Sequence, residues 1–154
     1  MKLTRYTDYA MRVMIFLASR DGLCHIREIS EAFQISQNHL MKVVQDLASA
    51  GFIQAVRGRN GGIKLARPAE AINLGTLLRH TEGLSDLIDC NGCLIAPVCG
   101  LPLVLNEATL AFVSVFDKYT VGDLIKRRRD LRQIFGYSDS GAERRRVDVD
   151  VAGL

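Results

Sequence analysis

The sequence has no apolar run long enough to cross a bilayer, and its N-terminus lacks the features of a secretion signal. We therefore expect a cytoplasmic protein with no membrane partner. A reducing compartment argues against a disulfide framework for the four cysteines. The chain also lacks a dinucleotide-binding fingerprint and a P-loop lysine motif, which argues against nucleotide binding by its glycine-rich stretch.

Three of the four cysteines lie within ten positions, Cys90, Cys93 and Cys99, with the spacing C-x2-C-x5-C. Thiolates this close repel one another unless a cation neutralises them, and sulfur ligands select zinc, Cu(I) or an iron–sulfur cluster. Three ligands leave a tetrahedral zinc or a cubane cluster one short. The spacing thus predicts a metal or cluster site, with a reactive thiol pair or simple packing as alternatives. The fourth cysteine, Cys24, is predicted to be a buried core thiol.

Positive charge is concentrated in the first half of the chain. Residues 1–67 contain ten Lys and Arg against five Asp and Glu, whereas residues 68–154 contain ten against twelve. A basic half indicates an anionic partner, and nucleic acid is the commonest one. A solvated basic surface without a partner is the alternative.

Apolar periodicity predicts three helices before residue 51, over about 3–19, 26–33 and 37–50. The second and third are separated by a short turn, which is typical of a helix-turn-helix whose later helix enters the major groove of DNA. Ser36 is a suitable N-cap for the third helix. The polar residues at its start could contact bases and phosphates: Ser36, Gln37, Asn38, His39 and Lys42.

Two short apolar segments, about 52–56 and 62–66, flank a glycine-rich connection and predict a β-hairpin. Directly after a helix-turn-helix, such a hairpin is the wing of a winged helix. Arg57 and Arg59 in the connection would supply cations for phosphates or the minor groove. An ordinary three-helix core is the alternative for the helices alone, but the added wing favours double-stranded DNA as the partner.

The predicted fold class is mainly α with a small β-hairpin wing, a winged helix-turn-helix followed by a long dimerisation helix. The long helix, over about 101–118, has a nearly heptad apolar stripe, which favours pairing with a second helix over packing within the chain. A capping box at Thr120 predicts a final helix through about Arg129. The expected units are a DNA-binding domain (1–67), a connecting helix (68–82), a cysteine loop (83–100), dimerisation and final helices (101–129) and a disordered tail (138–154).

Four stretches together resemble the winged-helix iron–sulfur transcription regulators: residues 3–9, 36–42, 56–62 and the cysteine loop. The resemblance extends from the N-terminus to about residue 128. It implies a non-enzymatic homodimeric repressor that binds a pseudo-palindromic operator and holds an iron–sulfur cluster on Cys90, Cys93 and Cys99. Asp8 of the partner subunit would be the fourth ligand, although the residues alone favour a carboxylate that stabilises its own helix. The first cysteine interval is shorter than in such relatives, so [2Fe-2S] stays open beside the favoured [4Fe-4S].

Within that family, the Asn38-His39 pair and the end of the cysteine loop are most similar to nitric-oxide-sensing members. Other members take a ligand from a histidine three residues after the last cysteine, a position that is Pro102 here. The resemblance implies that the protein releases its operator when nitric oxide nitrosylates the cluster. The alternatives are an iron- or redox-responsive regulator, a zinc-binding winged-helix protein, and a thiol oxidoreductase that uses Cys90 and Cys93.

Overall fold

Short-range signals set the ends of the first helices. In the computed structural model, which describes residues 2–82 and 87–136, the Thr4 side chain caps the first helix by accepting a hydrogen bond from the Thr7 N–H (3.2 Å). Gln34 ends the second helix in the left-handed conformation, with φ of 55°. Gly51 follows the third with φ of 77°, as expected of a glycine beyond a helix C-cap.

The elements follow the predicted order. They are α1 (Arg5–Ala18), α2 (Ile26–Phe33), α3 (Gln37–Ser49), β1 (Ile53–Val56), β2 (Gly62–Leu65), α4 (Leu74–Glu82), α5 (Leu101–Phe116), α6 (Val121–Leu124) and α7 (Arg128–Ile134). Short 3-10 turns lie at Ala69–Ala71 and Ala96–Val98. Strands β1 and β2 pair antiparallel, with Ile53 opposite Leu65 and Val56 opposite Gly62. A mainly helical chain with a hairpin is therefore confirmed.

The core lies between α1 and α3 and continues into the second half of the chain. The predicted apolar stripe of α3 is buried, with Leu40 and Leu47 fully inaccessible. Side chains from α4 and α6, such as Leu77 and Val121, belong to the same buried cluster. This core includes residues on both sides of residue 67. The predicted division of the chain into separate units stays a prediction.

The predicted final helix is wrong as a single element. The capping box of Thr120 and Asp123 does start α6, but the helix ends at Leu124 and α7 begins only at Arg128. Between them Ile125 leaves helical geometry and is buried in the core. The side chain of Arg128 then bonds the Ser19 carbonyl (3.1 Å), so tertiary contacts explain why the helix breaks.

Helix α5 is apolar yet largely uncovered. Leu103, Val104 and Leu110 are 76%, 62% and 61% exposed. Among the described residues, Val113 is the one buried side chain of α5. It does not belong to the predicted heptad stripe, which consists of Leu101, Leu105, Ala108, Phe112, Val115 and Phe116. Pairing of α5 with a second copy stays a prediction. The predicted disordered tail (138–154) lies outside the described residues. Residues 83–86 of the predicted cysteine loop also lie outside them. No helix in the described part of the chain is both long and apolar enough to cross a membrane.

Candidate nucleic-acid interface and cysteine loop

The start of α3 presents its polar side chains to solvent. Ser36 occupies the N-cap position as predicted, but its side chain makes no capping hydrogen bond, which leaves the hydroxyl accessible. The opposite side of the helix faces the core, so the orientation of α3 is fixed by Leu40, Val43 and Leu47. All five residues predicted to contact DNA are exposed: Ser36, Gln37, Asn38, His39 and Lys42. Their contact with DNA stays a prediction.

A hydrogen-bonded network holds α3 to the helices on either side of it. The Tyr6 hydroxyl on α1 donates to the Asp46 carboxylate on α3, and His80 Nε2 on α4 lies 2.7 Å from Asp46 Oδ2. The bond from Tyr6, together with the one from His80, holds the pKa of Asp46 below its ordinary value. Burial, and then Asp46, raise the pKa of Tyr6. No local sequence pattern predicts this network, because its members are far apart in the chain.

The wing is anchored through strand β2. The backbones of Cys24 and Ile63 exchange hydrogen bonds of 2.9 and 2.8 Å, which attach the hairpin to the segment between α1 and α2. A Cβ on Gly61 would lie 2.2 Å from the Val56 carbonyl oxygen, so only glycine fits this turn. Arg57 and Arg59 are exposed at the tip. The wing thus places its two cations in solvent at the end of an anchored hairpin.

A small depression lies between α1 and the recognition face of α3. It has a volume of about 230 Å³ and is lined by Arg5, Tyr6, Tyr9, His39, Lys42 and Val43. The rings of Tyr9 and His39 are 6.4 Å apart. Sequence periodicity placed Tyr6 on the inner face of α1, but gave no signal that Arg5 and Tyr9 lie beside His39 and Lys42.

The cysteine loop consists of consecutive turns. The Cys93 N–H donates to the Cys90 carbonyl (3.2 Å), and the Ala96 N–H donates to the Cys93 carbonyl (3.2 Å). Gly92, with φ of 72°, permits the first turn, and the Asn91 N–H bonds the Asp89 carboxylate (2.9 Å). Cys90, Cys93 and Cys99 are free and reach solvent, whereas Cys24 is buried.

Within residues 2–82 and 87–136, no three His, Cys, Asp or Glu side chains are gathered closely enough to hold a metal ion. Asp8 lies in the first turn of α1, where its carboxylate pairs with Arg12 at 2.9 Å. The donor chemistry fits an iron–sulfur cluster or zinc, since three free accessible thiols supply soft ligands. The assembled ligand set stays a prediction.

Comparison with known proteins shows to which functional class the chain belongs. The model of the Rrf2 family, described as an iron-dependent transcriptional regulator, matches residues 3–127. The chain belongs to this family. It is 49% identical over 141 residues to the HTH-type transcriptional regulator NsrR of Bacillus subtilis, a match that covers 87% of this chain and 97% of that protein. The NsrR of Bacillus licheniformis is 45% identical over 141 residues, covering 87% and 99%. The chain is therefore a transcriptional regulator and not an enzyme, which removes the oxidoreductase alternative.

Solved structures of similar proteins have the same fold. The oxidized form of Staphylococcus aureus CymR superposes with a TM-score of 0.67 at 29% identity, covering 82% of this chain and 97% of that one. The structure of T. potens IscR gives a TM-score of 0.69 at 24% identity, covering 86% and 91%. The predicted winged-helix fold is thus confirmed.

Proposed function

We propose that this Rrf2-family regulator is a homodimeric repressor that binds a pseudo-palindromic operator while it holds an iron–sulfur cluster, and releases the operator when nitric oxide reacts with that cluster. The observation that carries the proposal is the contrast among its cysteines. Cys90, Cys93 and Cys99 are free and accessible in one loop, whereas Cys24 is buried. The nitric oxide assignment is further supported by the similarity to regulators named NsrR.

The cysteine loop would bind the cluster. Cys90, Cys93 and Cys99 would hold it as thiolates, with Asp8 of the partner subunit as the fourth ligand in a [4Fe-4S] form. When bound, the cluster would supply iron that reacts with nitric oxide. A carboxylate is the hardest ligand of this set and therefore suits soft iron–sulfur chemistry least. A [2Fe-2S] cluster is the second candidate.

The winged domain would read the operator. The exposed start of α3 would enter the major groove with Ser36, Gln37, Asn38, His39 and Lys42. Arg57 and Arg59 on the wing would contact phosphates or the minor groove. Two such domains related by a twofold axis would read half-sites about one helical turn apart. The uncovered apolar surface of α5 supports its role as the dimer contact, because monomeric proteins rarely leave such surfaces open.

The link between loop and DNA would pass through α1. Helix α1 carries both Asp8 and Tyr9, and Tyr9 lies beside His39 on the recognition face. A ligand bond to Asp8 would therefore favour one placement of α1 and α3, and loss of the bond would remove that preference. A coupling free energy of about 1–3 kcal/mol between cluster state and DNA binding would be enough for a switch.

One titration tests the proposal. The protein is purified and reconstituted with iron and sulfide under anaerobic conditions, and a binding duplex is selected from a random-sequence library. Nitric oxide is then added while visible absorbance and DNA binding are followed together. We expect the absorbance to bleach in step with DNA release. A protein that remains colourless after reconstitution and still binds the duplex would contradict the proposed cluster and would favour the zinc-binding alternative.

Matched variants identify the ligands and the signal. Cys93→Ala should lose both the visible absorbance and the nitric oxide response, whereas Cys24→Ala should keep both. Asp8→Asn should keep the absorbance and weaken the coupling to DNA. Parallel additions of an iron chelator and of oxygen separate an iron- or redox-responsive regulator from one that responds to nitric oxide.

A further inference from the structure

One cation beside the recognition helix, Arg5, is not among the helix-turn-helix and wing contacts described above. Arg5 is the first residue of α1 and is exposed. It lines the depression of about 230 Å³ together with Tyr9, His39 and Lys42. This depression continues the exposed face of α3, because His39 and Lys42 belong to both. A duplex that contacts the start of α3 would therefore pass close to Arg5.

The charges around this depression favour an anion. In the described part of the chain, Arg5 and Lys42 form no ion pair. Acidic groups on the neighbouring helices have other partners: Asp8 pairs with Arg12 at 2.9 Å, Asp46 accepts from Tyr6 and lies 2.7 Å from His80 Nε2, and Glu82 accepts from the Thr4 N–H at 2.7 Å. Two cations that form no ion pair of their own make a surface to which phosphate is attracted.

The position of Arg5 at the start of α1 also favours binding of an anion. The N-terminus of a helix carries a partial positive charge, so a cation there is electrostatically unfavourable for the helix itself. An arginine in the first turn of α1 thus lowers helix stability slightly but adds to the positive potential beside α3. The rings of Tyr9 and His39, 6.4 Å apart, line the same depression.

We propose that the depression between α1 and α3 binds a phosphate of the operator backbone, with Arg5 as the additional contact beside Lys42. The inference rests on the proposed placement of α3 in the major groove. The contact positions the duplex and carries no sequence information, because it reaches the backbone and not the base edges. Each dimer gains two such contacts, one for each subunit.

The salt dependence of binding tests this contact. Operator affinity of the cluster-loaded protein is measured between about 50 and 200 mM salt, the range over which phosphate contacts change affinity strongly. Arg5→Gln should make the slope of log affinity against log salt shallower by about two for a dimer, and should weaken binding about tenfold. The weakening should be equal for the operator and for a scrambled duplex. Arg5→Lys, which keeps the charge, should retain most of the slope.

A matched control removes a cation elsewhere. Lys126→Gln lowers the net charge by the same amount, but Lys126 lies beyond α6 and pairs with Asp123 at 3.1 Å. This variant should leave the slope unchanged. An unchanged slope and affinity in Arg5→Gln, with wild-type binding intact, would overturn the phosphate contact. A loss confined to the operator would also overturn it, since it would indicate base recognition. Failure of the wild-type protein to bind any selected duplex would instead overturn the proposed function.

Discussion

Replacing Tyr6 with phenylalanine isolates one bond that holds the recognition helix in place. The substitution keeps the ring in the core and deletes only the hydroxyl that donates to the Asp46 carboxylate. Asp46 would keep its contact with His80 at 2.7 Å. The change therefore removes one of the two side-chain contacts between α3 and its neighbours at this point, without creating a large cavity.

The magnitude follows from the charge and exposure of Asp46. A hydrogen bond to a charged group contributes about 1.5–3 kcal/mol to stability. The Asp46 side chain is 44% exposed, so water can replace much of the lost donor. We therefore expect Tyr6→Phe to lower the free energy of unfolding by about 1 kcal/mol, which is below that range and typical of an uncharged hydrogen bond. For a protein of this size the melting temperature would fall by about 2–4 °C.

The effect should depend on pH with a defined sign. The pKa of Asp46 is lowered in the folded protein, so its contribution is present above its unfolded pKa and is lost as pH falls through the folded value. The difference between wild type and Tyr6→Phe should be full near pH 7. It should shrink below the ordinary aspartate value of 3.8.

Thermal unfolding followed by circular dichroism measures this difference at fixed protein concentration, since a dimer links stability to concentration. Tyr119→Phe is the matched control, because the Tyr119 side chain is exposed and its hydroxyl has no hydrogen-bond partner among the described residues. That control should not move the melting temperature. Equal melting of wild type and Tyr6→Phe at pH 7, or a difference that persists undiminished at pH 3, would refute the reasoning.

Three further experiments test the packing of the core and the proposed dimer contact. Gly75→Ala would place a Cβ 1.9 Å from Asp117 Oδ1, so α4 and α5 should separate and the melting temperature should fall. Burial raises the pKa of the Cys24 thiol to about 12, so mass spectrometry after alkylation at pH 8 should find three labelled cysteines in the folded apo-protein and four after denaturation. Leu110→Lys places charges in the proposed dimer contact and should give monomers by light scattering, whereas Leu124→Lys, at an exposed leucine of α6, should not.

Local signals predicted most of the fold. The stop at Gly51 and the capping box at Thr120 act within a few residues, so their consequences can be read directly from the chain. The break after Leu124 could not be found in this way, because it depends on burial of Ile125 and on the bond from Arg128 to the Ser19 carbonyl. Such contacts join residues more than a hundred positions apart, and helix propensity gives no information about them.

The candidate site could likewise be predicted from the sequence only in part. Spacing identified Cys90, Cys93 and Cys99 because clustered thiols are chemically unusual whatever the fold around them. Under the proposed function, their assembly into a ligand set would depend on more than one chain, since the proposed fourth ligand is Asp8 of the partner subunit. Metal sites commonly form together with the structure that holds them. The loop sequence therefore encodes the donors, whereas their geometry would be completed only when the second subunit and the metal are both present.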